Sequence, residues 1–86
     1  MAEVDDESDQ IWQQALYVIG LSCLYSEDYA GCIEAFDKLI GLDPENMDYY
    51  IKRGTAHAKA GNEEEAGADI LKWEEMKEAA VTGGGE

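Results

Sequence analysis

Four stretches of helical periodicity, joined by connections of only a few residues, leave this chain little choice of architecture. Helices linked so tightly turn back on one another and pack as antiparallel neighbours. The first stretch, "SDQIWQQALYVIGLSCLYS" (8–26), offers Ser8 or Asp9 as its N-cap. The second, "DYAGCIEAFDKLIGL" (28–42), is capped by Asp28, and its apolar residues Tyr29, Cys32, Ile33, Phe36, Leu39 and Ile40 fall on one helix face. Asp43-Pro44 ends it, because a residue before proline is pushed out of the helical region. The third, "NMDYYIKRGTAHAKA" (46–60), has Asn46 as cap and Gly61 as stop. Asn62 caps the fourth, with Glu65 where a capping box places its glutamate and Lys72 and Lys77 toward the other end. The pattern predicts an all-α fold over residues 9–80, with an acidic head (1–8) and a glycine-rich tail (81–86) as flexible extensions.

Charge narrows the partners. The chain has 86 residues, enough for one small domain, and its 20 acidic against 6 basic residues give a net charge of −14. Nucleic-acid binding needs clustered Lys and Arg, and an anionic membrane surface repels such a chain. A basic or apolar protein or peptide is the partner that remains. Residues 1–10, "MAEVDDESDQ", contain no signal-peptide core, and the apolar run "ALYVIGLSCLY" (15–25) is too short to span a bilayer. Cys23 and Cys32, each within an apolar stretch, read as reduced thiols of a cytoplasmic protein.

Periodicity alone is equally satisfied by an ordinary four-helix bundle. A longer period adds more: Gly20 and Gly54 stand 34 residues apart. In the first copy Leu16, Ile19, Gly20, Cys23, Cys32, Phe36 and Pro44 follow one another, and in the second Tyr50, Arg53, Gly54, His57, Ala66, Ile70 and Glu78. The first series resembles the signature of the tetratricopeptide repeat family, and "GLDPEN" is similar to that family's inter-repeat linker. The likeness covers residues 13–78 and divides the domain into hairpins at about 13–46 and 47–80. Identity between the copies is confined to Gly20/Gly54 and Lys38/Lys72, so residue type at each position carries the resemblance. It implies antiparallel helix-turn-helix repeats forming a segment of an α-α superhelix. It also implies that Gly20 and Gly54 on the first helix of each hairpin face Cys32 and Ala66 on the second, with Phe36 and Ile70 beside the crossing.

The departures carry expectations of their own. Glu27 stands where the second copy has Gly61, so the first turn needs another geometry or accepts strain. Glu74 and Glu78 replace Ile40 and Pro44, which makes the last helix read as a terminal cap. Trp12 and Trp73 read as plugs at the open ends of the short stack.

No residue pattern points to catalysis, a cofactor or a metal. His57 is the only histidine and falls in a core-facing slot. The two cysteines lack ligand spacing, "EEE" (63–65) belongs to a helix N-terminus, and "GGGE" precedes neither strand nor helix. The chain therefore reads as a non-enzyme.

The family likeness implies a concave groove lined by Gln14, Tyr17, Leu21 and Leu24 from the first helix and by Asp48, Ile51, Thr55 and Ala58 from the third. The core face of the first helix is already used by Leu16, Ile19, Gly20 and Cys23, so this helix is apolar on two faces, and a helix apolar nearly all round is normally covered. Family members that clamp acidic chaperone tails carry lysine, asparagine and asparagine where this chain has Tyr17, Leu21 and Lys52, so that activity does not transfer. In character, though not in motif, the chain is similar to the small tetratricopeptide chaperones of bacterial secretion systems. Two classes of function follow: a scaffold- or chaperone-like module presenting the groove to a partner, and a unit that buries it in a homodimer. A designed or minimal repeat without a native partner has the same sequence features.

Overall fold

Two turns with matching hydrogen bonds organise the chain. Asp28 N–H donates to the Cys23 carbonyl (2.8 Å) and Glu27 N–H to that of Leu24 (3.2 Å). At the same offset as the two glycines, Asn62 N–H donates to His57 (2.8 Å) and Gly61 N–H to Ala58 (3.1 Å). This pair of bonds closes a helix C-terminus around one left-handed residue. Gly61 supplies it at φ 88° and Glu27 at φ 68°, so the first turn keeps the geometry of the second and carries the strain.

The computed structural model describes residues 5–85, with side chains described from 10 to 80. It comprises α1 (Asp5–Tyr25), α2 (Tyr29–Leu42), α3 (Met47–Lys59) and α4 (Glu63–Gly85), with no strand among the described residues. The fold is all-α, two helical hairpins in series. Asp28 caps α2 by accepting from Gly31 N–H (3.1 Å), and Asn46 caps α3 by accepting from Asp48 N–H (3.1 Å). Asn62 turns its side-chain amide to His57 Nδ1 (3.2 Å), while its backbone carbonyl accepts from Ala66 N–H.

Both outer helices outrun their expected limits. α1 begins at Asp5, so Ser8 and Asp9 lie inside it; acidic residues in a first turn favour helix rather than a loose extension. α4 continues through Gly85, although each glycine in a helix costs about 1 kcal/mol relative to alanine. Nothing in the residue types explains that continuation. The expectations for 1–4 and 86 fall outside the described residues.

The helices pack in chain order, α1 on α2, α2 on α3 and α3 on α4. The result is a slab of 43 × 41 × 17 Å with α1 and α4 at its two edges. Leu16, Cys32, Phe36, Leu39, Tyr49 and Ala56 form the buried centre. Phe36 is its pivot: its ring meets Tyr17 edge-on at 5.8 Å and Tyr49 at 6.0 Å. The linker is tied down by Tyr50, whose hydroxyl donates to the Pro44 carbonyl (3.0 Å).

Gly54 lies against Asp69, Ile70 and the Ala66 carbonyl, and a Cβ at Gly20 would first meet the Phe36 ring, at 2.5 Å from Cε2. One expectation of the repeat register is corrected. Ile19, assigned to the core by the repeat register, is 50% exposed. Its counterpart Arg53 shows why. Arg53 reaches Asp37 on α2, the helix packed on α3's near side, whereas no described helix lies there for α1.

Candidate protein-interaction surface

Of the eight expected groove residues, the structure gathers three. The Tyr17 hydroxyl donates to Asp48 Oδ2 (2.9 Å) and joins α1 to α3. Gln14 stands beside them in a cleft of about 520 Å³ completed by Gln10, Gln13, Val18, Asn46 and Tyr49. Asp48 is also paired with Lys52 (2.9 Å). Burial, then the Asp48 hydrogen bond, raises the Tyr17 pKa; burial lowers that of Lys52, but the bond and charge of Asp48 outweigh it and raise it overall. Four side-chain amides and a carboxylate line this cleft beside Tyr17, Val18 and Tyr49, so its surface is mixed, with more apolar than polar area.

The other five residues lie outside the cleft. Leu21 and Leu24 are half-buried and packed against the core, Ile51 and Thr55 are half-buried, and Ala58 is exposed. The Thr55 hydroxyl is spent on the Ile51 carbonyl (2.8 Å) of its own helix. Tyr17, Leu21 and Leu24, expected to form an uncovered face, are half-buried: each packs in part against the core.

The uncovered apolar surface lies on the other side of α1. Ile11 (64% exposed), Trp12 (55%), Val18 (60%), Ile19 and Tyr25 (83%) all point outward. With Ala15 and Ser22 they occupy an outer arc of about 140° at 3.6 residues per turn. Trp12, expected to plug an open end of the stack, is among these exposed side chains. Trp73 is half-buried on α4, with Lys77 Nζ over its ring at 4.3 Å. One signal could have found this face: Gln10 to Ser26 contains no charged residue. A solvated helix face normally carries charge.

The hairpin crossing also encloses two free thiols, Cys23 and Cys32. Burial, then Cys23 and Asp28, pushes the Cys32 thiol from 9.0 up to about 11. An unfolded chain ionises this thiol from about pH 9 while the folded chain keeps its proton. The sign follows: stability present below pH 9 is lost as pH rises toward 11, by on the order of 2 kcal/mol. Tyr17 and Tyr49, both raised first by burial, act in the same direction. Urea midpoints should fall between pH 9 and pH 11, and fall less in Cys32→Ala; parallel pH profiles for the two proteins would refute this assignment.

Among the described residues, no three His, Cys, Asp or Glu side chains are placed to hold a metal ion, and no helix is long and apolar enough to cross a membrane. What the surface offers is contact area: large apolar side chains without charge among them. No family model matches the chain, and neither a curated protein nor a solved structure does.

Proposed function

We propose that this chain is a non-catalytic protein-interaction module of the tetratricopeptide type, and that it engages its partner through the outer arc of α1. The carrying observation is the set Ile11, Val18, Ile19 and Tyr25, each half or more exposed on a helix whose opposite side already serves the core. A helix apolar all round is stable in water only when both sides are covered. The cleft beside Tyr17 and Asp48 adjoins this arc through Val18, and its amides can bond the polar backbone of whatever lies there. The matching turns and buried glycines of the two hairpins support the tetratricopeptide reading. A homodimer through the same arc is the second reading, favoured by nothing beyond the arc's apolar character.

Paired substitutions test this. Val18→Asp places a charge on the outer arc and should change stability by no more than about 0.5 kcal/mol while abolishing association. Leu21→Asp, on the core-facing side, should cost about 2 kcal/mol or more and lower the melting temperature by roughly 10 °C. Circular dichroism melts report stability, and light scattering and peptide titration report association. A Val18→Asp protein that unfolds, beside a Leu21→Asp protein that folds and loses binding, would return the interface to the inner face.

A further inference from the structure

The internal repeat bears on what kind of object would cover the outer arc. Shifted by the spacing of the two glycines, Ala15 and Ser22 correspond to Tyr49 and Ala56. On α1 both are exposed; on α3 both are buried, at 6% and 0% exposure, in the core that α2 closes. The same side of the equivalent helix is thus covered by a helix in one hairpin and by nothing described in the other. Resting on the reading of α1 as an interface, we infer that its occupant is an amphipathic helix of another protein. It lies along α1 as α2 lies along α3, and carries basic residues at both ends of its apolar stripe.

Charge selects this occupant over a second copy. The uncharged stretch Gln10–Ser26 spans roughly 25 Å of helix at 1.5 Å per residue. It is bracketed by Asp5, Asp6, Glu7 and Asp9 before it, and by the exposed Glu27 and Asp28 after it. A helix with Lys or Arg at both ends and apolar side chains between them matches this pattern from end to end. A second copy of α1 sets acidic ends against acidic ends in either orientation. α4 of a second copy, the edge helix equivalent to α2, brings Glu74 and Glu78 where α2 has Ile40 and Pro44. Either arrangement joins two chains of net charge −14.

Calorimetric titration of the full chain with three synthetic helical peptides tests the inference. All three carry one apolar stripe as long as the Gln10–Ser26 stretch; their ends are lysine, glutamine or glutamate. At about 0.1 M salt the lysine-ended peptide should bind about tenfold or more tightly than the glutamine-ended one, and the glutamate-ended peptide least. The difference should collapse near 1 M salt, where the Debye length falls to about 3 Å. Val18→Asp should weaken binding of the lysine-ended peptide at least tenfold, whereas Leu71→Asp, an exposed α4 position, should leave it unchanged.

Equal binding of all three peptides overturns the basic-ended partner and leaves α1 an interface. Absence of peptide binding, with a dimer that Val18→Asp dissociates, hands the surface to a second copy and overturns the inference. Retention of the protein by phosphatidylcholine vesicles, without peptide binding, makes the occupant a lipid surface and likewise overturns it. A chain that stays monomeric at millimolar concentration and binds neither peptide nor vesicle removes both the partner and the interface reading.

Discussion

Gly20→Leu should abolish folding. A side chain at this position starts 2.5 Å from Phe36 Cε2, with Cδ2 and Cζ at 3.0 and 3.1 Å. The ring has no room to retreat, because it is fully buried and flanked by Tyr17 and Tyr49. Overpacking of this kind costs about 1–3 kcal/mol for a methylene or two, and more where neighbours are fixed. A small domain has only about 5–15 kcal/mol in total, and a chain of two hairpins lies near the low end. Gly20→Ala isolates the effect. It should gain about 1 kcal/mol of helix propensity and still melt lower than the parent. Gly54→Ala is the control: its nearest contacts, Asp69 Cβ at 3.1 Å and Ile70 Cγ1 at 3.3 Å, need yield only slightly, so it should be close to neutral. Circular dichroism melts decide the matter. A Gly20→Leu protein that melts like the parent would show that α1 and α2 do not cross here.

Arg53→Met should cost about 3–5 kcal/mol, the usual penalty for removing one partner of a buried ion pair. Arg53 holds Asp69 with two parallel bonds, Nε to Oδ2 at 2.8 Å and Nη2 to Oδ1 at 2.7 Å. Its remaining arm bonds Asp37 on α2 at 2.7 Å, and its plane lies 5.9 Å from the Tyr50 ring centre. The guanidinium pKa is raised, first by the Asp69 bonds, which outweigh the effect of burial. Asp69 is 5% exposed, so without arginine its carboxylate stays in the interior with no counter-charge. The Asp37 side chain is 55% exposed, and Asp37→Ala should cost under about 1 kcal/mol. The double variant Arg53→Met/Asp69→Leu removes charge and partner together and should recover most of the loss. Urea titrations of the four proteins in this cycle give the coupling directly. Additive losses would mean that the pair does not act as a unit.

Residue types alone carried the middle of the molecule. Asp28 and Asn46 cap the helices that the periodicity placed there, Gly61 turns the chain between α3 and α4, and the α2 stripe through Cys32, Phe36 and Leu39 is buried. These features rest on contacts a few residues apart, and such contacts have a signature in local order. The groove was half legible. Gln14, Tyr17 and Asp48 do share one concavity, while Leu21 and Leu24 are half-buried against the core outside it.

The rest depended on which helix lies against which side. α1 is apolar over most of its circumference from Ile11 to Tyr25, so its periodicity has amplitude on every face and marks none as inner. The repeat register assigned Ile19 inward, to the core face it shared with Leu16, Gly20 and Cys23. Only the placement of α2 and α3 settles that Leu16, Gly20 and Leu24 face the core while Val18 and Ile19 face out. The same holds for the Phe36 ring over Gly20 and for the Arg53 bridge to Asp37 and Asp69, each joining residues 16 apart in sequence that meet only across a hairpin or its neighbour. Helices are written in short-range pattern; a face acquires its meaning only from what packs on it.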